Sequence, residues 1–200
     1  MSDALEIKVL PGSDSAFSAA LPALARLRIE VFREFPYLYD GDEAYEQEYL
    51  RTYLECAHSV VVLVMDKGQV VGASTGLPLS FETEACQRPF CDSRQDPATI
   101  FYCGESVLLP DYRGRGVYRA FFDGREQHAR ALGGFTRIVL CGVERPADHP
   151  RRPVDYVPLD PVWRHFGYHK RDDLRASFSW KDVDQPQTSE KSLVFWEKSL

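Results

Sequence analysis

TIFYCGESVLLPDYRGRG, residues 99–116, decides how this chain is read. The apolar residues Ile100, Phe101, Val107, Leu108 and Leu109 mark a buried strand. Pro110-Asp111 stops it, and Gly114 and Gly116 mark a tight turn. The residues that follow, VYRAFFDGREQHARAL, keep a helical period. A strand feeding a glycine turn that opens a helix is an anion site. The first helical amides lack intrahelical partners, and the helix dipole favours negative charge there. Glycine lets a phosphate come close to the backbone. Arg113 and Arg115 add charge-assisted donors that suit phosphate oxygens.

Two phosphate motifs fail against these letters. A P-loop ends in Gly-Lys-Ser/Thr, which is absent. A dinucleotide fingerprint anchored at Gly114 and Gly116 requires glycine where Arg119 stands. What remains resembles motif A of the GNAT superfamily, the acyl-CoA-dependent N-acyltransferases. That motif runs Arg/Gln-x-x-Gly-x-Gly/Ala after a strand ending in Pro-x-Tyr. Here Pro110-Asp111-Tyr112 precedes Arg113-Gly114-Arg115-Gly116-Val117-Tyr118, with Tyr118 where the family usually has glycine or alanine. A second resemblance lies at Trp163-Arg164-His165-Phe166-Gly167-Tyr168, where the family usually has Tyr-x-x-Leu-Gly-Phe.

The rest of the chain falls into the same order. Residues 6–10 read as a strand. Residues 16–34 read as a helix carrying Leu24, Leu27, Val31 and Phe35 at helical spacing, stopped by Pro36. Residues 42–55 are a second helix with Tyr45, Tyr49 and Tyr53 on one stripe. Residues 59–65 and 70–77 form a hairpin around Asp66-Lys67-Gly68. Residues 78–97 read as a long loop, 115–132 as a helix closed by Gly133-Gly134, and 137–143 as a strand. Residues 144–158 are proline-rich and irregular, 159–166 a short helix, and 176–181 and 192–198 two strands. The order β-α-α-β-β-β-α-β-α-β-β is that of the resembled family. The resemblance implies an α/β (α+β) GNAT fold over a single domain, 1–200. Its mixed central sheet would have about seven strands, a splayed fourth and fifth strand, and flanking helices.

Bulk properties narrow the function. The chain has 200 residues, 44% hydrophobic and 27% charged, which is ordinary for a globular protein. The longest apolar run, residues 59–65, is far too short to cross a bilayer, and no membrane partner is expected. The first residues, MSDALEIKVL, lack the basic segment and apolar core of a signal peptide. Five cysteines with no Cys-x-x-Cys pair point to reduced thiols in a cytoplasm. Cys86 and Cys91 have no nearby histidine to complete a metal site, and no metal is expected. Residues 1–60 hold eleven acids against five bases, which accounts for the whole net charge of -6. That balance disfavours nucleic acid. The acids either attract a cationic amine or form a solvated helix face.

Moving an acyl group from a thioester to an amine requires orientation, donors for developing charge and a base. Glu105 is the candidate base, a lone carboxylate in an apolar strand; the other reading is a buried glutamate paired with an arginine. The resemblance implies that the backbone of Val107, Leu108 and Leu109 binds the thioester and pantetheine of acetyl-CoA. It implies that Arg113, Gly114, Arg115, Gly116, Val117 and Tyr118 hold the pyrophosphate. The family's tyrosine acid falls at Trp163, and an indole N–H is a donor but not a useful acid. Tyr118, Cys141, Tyr156 and His165 are the substitutes within reach of this reading. Gly104-Glu105-Ser106-Val107-Leu108 lacks the second glycine of a nucleophile elbow, so a serine hydrolase is excluded. Tyr37, Tyr39, Tyr102, Cys141 and Trp163 are expected to line the acceptor side, where aromatic faces beside acids hold ammonium groups. The resulting expectation is an acetyl-CoA-dependent N-acetyltransferase acting on a small-molecule primary amine, cytoplasmic, with a homodimer left open. A non-catalytic acyl-CoA sensor and a protein N-acetyltransferase are the alternatives.

Overall fold

The computed structural model describes residues 5–200. Seven strands form one sheet in the order β1-β2-β3-β4-β5-β7-β6. They are β1 (Glu6–Pro11), β2 (Val60–Asp66), β3 (Gln69–Pro78), β4 (Ile100–Leu108), β5 (Arg137–Val143), β6 (His169–Lys181) and β7 (Thr188–Ser199). Only β4 and β5 pair in parallel; every other neighbour is antiparallel. Helices α1 (Ser15–Phe32), α2 (Glu43–Glu55) and α3 (Glu84–Asp92) cover one face, sharing a core with Val61, Leu63 and Ala73. Helices α4 (Val117–Leu132) and α5 (Asp160–His165) cover the other, through Phe122, Ala129 and Trp163. Burial on both faces explains why β2 is the continuous apolar run VVVLV rather than an alternating one. Among the described residues, no helix is long and apolar enough to cross a membrane.

Three readings of the sequence need correction. Residues 78–97 are not a plain loop: α3 lies within them. Cys86 and Phe90 fall on one face and are fully buried, and Phe90 meets Phe195 edge-on at 4.7 Å. Pro89 inside the helix and its polar neighbours hid that stripe. Strand β6 begins at His169 rather than 176, and β7 at Thr188 rather than 192. The charged run HKRDDLR suits β6 because this edge strand exposes its outer side. A bulge between Arg171 and Arg175 turns Leu174 into the core. Helix α1 ends at Phe32, so Phe35 lies beyond it; the residue before a proline avoids the helical region.

The splay sits where expected. β4 pairs with β5 only from Ile100 to Cys103, against Arg137 to Leu140. Beyond that, β4 stays with β3 while β5 continues with β7. The cause is a bulge in β4, where Ser74↔Ser106 and Gly76↔Cys103 set two residue steps of β3 against three of β4. The extra residue reverses the side-chain alternation. Glu105 and Val107 therefore face α1 and α2, while Ser106 and Leu108 face α4.

Candidate active site

The gap between the splayed strands opens into a cavity of about 1020 Å³. Its floor is Gly104, Glu105 and Ser106 of β4 with Cys141 and Gly142 of β5. One end is the turn before α4. Gly114 (φ 74°) and Gly116 (φ 77°) are left-handed, and a side chain on either would meet nothing within 4 Å. The turn thus needs glycine for its conformation and leaves an open cradle. Among the described residues the amides of residues 114–118 donate to no acceptor; the first helical bond is Arg119 N–H to the Gly116 carbonyl at 3.1 Å. These are the orphan donors an anion at a helix start would take. Arg113 donates through Nε to the Leu108 carbonyl at 3.2 Å and pairs through Nη2 with Glu34 at 2.9 Å, across the cavity mouth.

Glu105 lies at the bulge with its side chain 1% exposed. Its Oε2 accepts from Arg28, whose Nε also donates to the buried Glu46. Glu105 Oε1 and Glu46 Oε1 have no partner, so one guanidinium serves two buried carboxylates. Burial raises the Glu105 carboxyl above its ordinary range, against the pull of Arg28. Glu105 is thus the buried glutamate paired with an arginine, and it also lines the cavity with a raised proton affinity.

The far end is walled by aromatics. Tyr37 stacks on Trp180 at 5.9 Å, and the Trp180 indole N–H donates to the Tyr37 carbonyl at 3.0 Å. Trp163 packs so close over Gly142 that a Cβ there would lie 2.4 Å from its ring. It meets Trp196 edge-on at 5.2 Å, so it acts as a wall. Cys141 lines the cavity, but burial pushes its thiol up to about 12, which makes it a poor nucleophile and a poor acid. Residues 151–160 roof this end, with Tyr156 edge-on to Phe35 at 4.7 Å. The roof springs from Arg145, whose side chain is 8% exposed. It forks onto both oxygens of Asp182 at 2.8 and 2.9 Å and donates to the carbonyls of Pro36 and Tyr37.

The cavity gathers Glu105, Leu108, Arg113, Gly114, Gly116, Val117 and Tyr118, together with Tyr37, Cys141 and Trp163. Five anticipated residues are not on its walls. Val107 is buried and pairs with Ala73, and the Leu109 amide donates to Val71. Arg115 lies over the Tyr112 ring at 5.1 Å. Tyr39 bridges to Asp182, and the Tyr102 hydroxyl is turned to the Cys141 sulfur at 3.2 Å within the α1–α3 core. The acids thought to attract a cation are engaged: Asp40 pairs with Lys181 and Arg33, Asp42 caps α2 and Glu43 pairs with Arg26. Sequence reading missed Arg28, Arg145 and Arg125. Arg125 was visible in principle, as a charge on the inner stripe of α4 that also carries Phe121, Phe122 and Ala129.

Solved structures share this fold. Arabidopsis thaliana NAA60, in complex with acetyl-CoA, superposes with a TM-score of 0.64 at 13% identity, covering 98% of this chain and 99% of that one. A GCN5-related N-acetyltransferase from Kribbella flavida gives 0.59 at 16% identity, covering 100% of both chains. The ribosomal-protein-alanine N-acetyltransferase of Brucella melitensis gives 0.59 at 14%, covering 98% and 99%. At these identities the likeness is one of fold. No curated protein sequence matches the chain. The sequence pattern of the acetyltransferase (GNAT) family matches residues 24–154, a span that includes the splayed strands, the glycine turn and Glu105. On that match, the chain belongs to the acetyltransferase (GNAT) family.

Proposed function

We propose that the protein moves the acetyl group of acetyl-CoA onto the primary amine of a small molecule, by direct transfer within a ternary complex. The observation that carries this is the splayed β4–β5 gap running into the turn before α4, where the amides of residues 114–118 have no partner among the described residues. The amides of 114–118 and Arg113 hold the pyrophosphate, and the cradle above Gly114 and Gly116 leaves room for it. The similar Arabidopsis protein was solved with acetyl-CoA. Acetyl-CoA supplies the activated acyl thioester. Glu105 takes the proton that the amine gives up; burial raises its proton affinity above the ordinary carboxylate range, the direction that role requires. The roof of residues 151–160 closes the acceptor end and favours a compact amine over a protein chain. Five free cysteines among the described residues support a reducing, cytoplasmic setting.

The test is thiol release from acetyl-CoA with a panel of small primary amines and a panel of N-terminal peptides. The reading requires amine-dependent release with a member of the first panel. Release with peptides alone would overturn the small-molecule assignment.

A further inference from the structure

Arg125 is 1% exposed, in the middle of α4, and it lines the cavity. Among the described residues it forms no ion pair. Its Nε donates to the Phe121 carbonyl at 3.2 Å, and its Nη1 to the Glu105 carbonyl at 3.1 Å and Ser106 Oγ at 3.0 Å. Its Nη2 is buried and has no partner. A guanidinium stays charged in proteins, and burying it without a counter-charge is costly; the Phe122 ring, 5.1 Å from the Arg125 guanidinium, offsets only part of that cost. Arg125 is not required by its acceptors either. Ser74 Oγ already donates to the Glu105 carbonyl at 2.9 Å and lies 3.3 Å from Ser106 Oγ.

The titratable groups around it supply no negative charge. Burial raises the Cys103 thiol on β4, the Tyr118 hydroxyl on α4 and the Tyr168 hydroxyl ahead of β6, in each case against the pull of Arg125. The Glu126 carboxylate is engaged by Lys198 at 2.7 Å and by Tyr168. The Glu105 carboxylate belongs to Arg28 on the opposite face of β4. A free N–H of a buried cation therefore stands at the bulge, on the α4 side of the splay.

We propose that Arg125 is a catalytic residue that holds the negative charge left on sulfur when the thioester opens. This rests on the proposed function and fills a gap in it, since Trp163 cannot protonate a leaving group. As the amine C–N bond forms, the C–S bond breaks and sulfur keeps the electron pair. The amine proton leaves through Glu105. The thiolate stays beside Arg125 and takes a proton from water after release. Arg125 donates a hydrogen bond and charge, not a proton.

The test compares binding of CoA and desulfo-CoA, by titration calorimetry from pH 6 to 9, in the wild type, Arg125→Leu and Arg125→Lys. A cation beside sulfur lowers a thiol by about one to three pH units, so CoA gains affinity as pH rises while desulfo-CoA does not. The expected wild-type result is a CoA to desulfo-CoA affinity ratio that climbs by about ten-fold or more over this range. The ratio should be flat in Arg125→Leu and partly restored in Arg125→Lys, with all three proteins melting cooperatively. A flat ratio in the wild type, or an unchanged climb in Arg125→Leu, overturns the proposal. Failure of both ligands to bind would instead overturn the proposed function. A preference for malonyl-CoA over acetyl-CoA that vanishes in Arg125→Leu would show that the guanidinium reads an acyl carboxylate, and would also overturn it.

Discussion

At the scale of single residues, the site depends on where charge is buried. Glu105 shares Arg28 with Glu46, and burial raises its proton affinity. As the base, it works deprotonated. kcat/KM should therefore rise with pH through that raised value, above the ordinary carboxylate range. Glu105→Gln should abolish this limb and lower kcat by about two to four orders of magnitude, with acetyl-CoA affinity unchanged. pH-rate profiles of the two proteins check it; an unchanged limb would remove Glu105 from the mechanism. The same shift has a stability consequence. A carboxyl raised in the fold binds its proton more tightly than in the unfolded chain. Its contribution is thus lost as pH rises from the ordinary carboxylate range through the raised value. Melting temperatures of wild type and Glu105→Gln should converge at acid pH and shift in favour of the variant toward neutral pH. A second residue-scale prediction concerns Glu34, which occupies Arg113 at the cavity mouth and adds a negative charge beside the expected pyrophosphate. Both groups are half-exposed, so the effect is modest: Glu34→Gln should tighten CoA binding by up to about five-fold, the scale of an exposed ion pair. Calorimetric titration at low and high salt would show the gain shrinking with salt.

At the scale of elements, the acceptor wall is a loop fastened by one arginine. Residues 35–40 are stitched to the end of the β6–β7 pair by Trp180, by the Asp40 amide on the Lys181 carbonyl and by the Val183 amide on the Leu38 carbonyl. Arg145 ties that seam to the end of β5 through Asp182, which Lys191 also approaches at 3.4 Å. Replacing Arg145 by methionine should leave Asp182 with Lys191 and loosen Tyr37 and the roof. The KM for the acceptor should rise by about ten-fold or more while acetyl-CoA binding stays the same, because the glycine turn lies at the other end of the cavity. Equal loss on both substrates in steady-state kinetics would contradict this division of labour. These elements also show what was legible beforehand. Strand β5 and the glycine turn were readable because their signals are local: a β-rich run bounded by glycines and a spacing of arginines. The seam was not, because Arg145 acts on residues 36, 37 and 182, and no spacing within the chain encodes such a meeting. Helix α3 was hidden for a different reason, a proline inside a short polar helix whose Cys86 and Phe90 are buried by distant partners such as Phe195.

At the scale of the whole molecule, one bulge organises the fold and the chemistry. The extra residue in β4 ends its pairing with β5, opens the cavity and turns Glu105 to one side of the sheet and its carbonyl to Arg125 on the other. In the proposed function the two faces take different tasks, the proton on the α1–α2 side and the cofactor on the α4 side. The order of elements was legible, and so was the glycine turn; the pairing partner of Glu105 was anticipated only as a type. The acidic first 60 residues illustrate the limit of charge counting. Their net charge is real, but Asp40, Asp42 and Glu43 are already paired or capping. The account stands on acetyl-CoA binding at the glycine turn. Calorimetric titration of acetyl-CoA into the wild type and Gly116→Val tests it most directly, since Gly116 is left-handed and faces open space. The account predicts one-to-one binding to the wild type and none to a folded Gly116→Val. Equal binding to both, or none to the wild type, would contradict it.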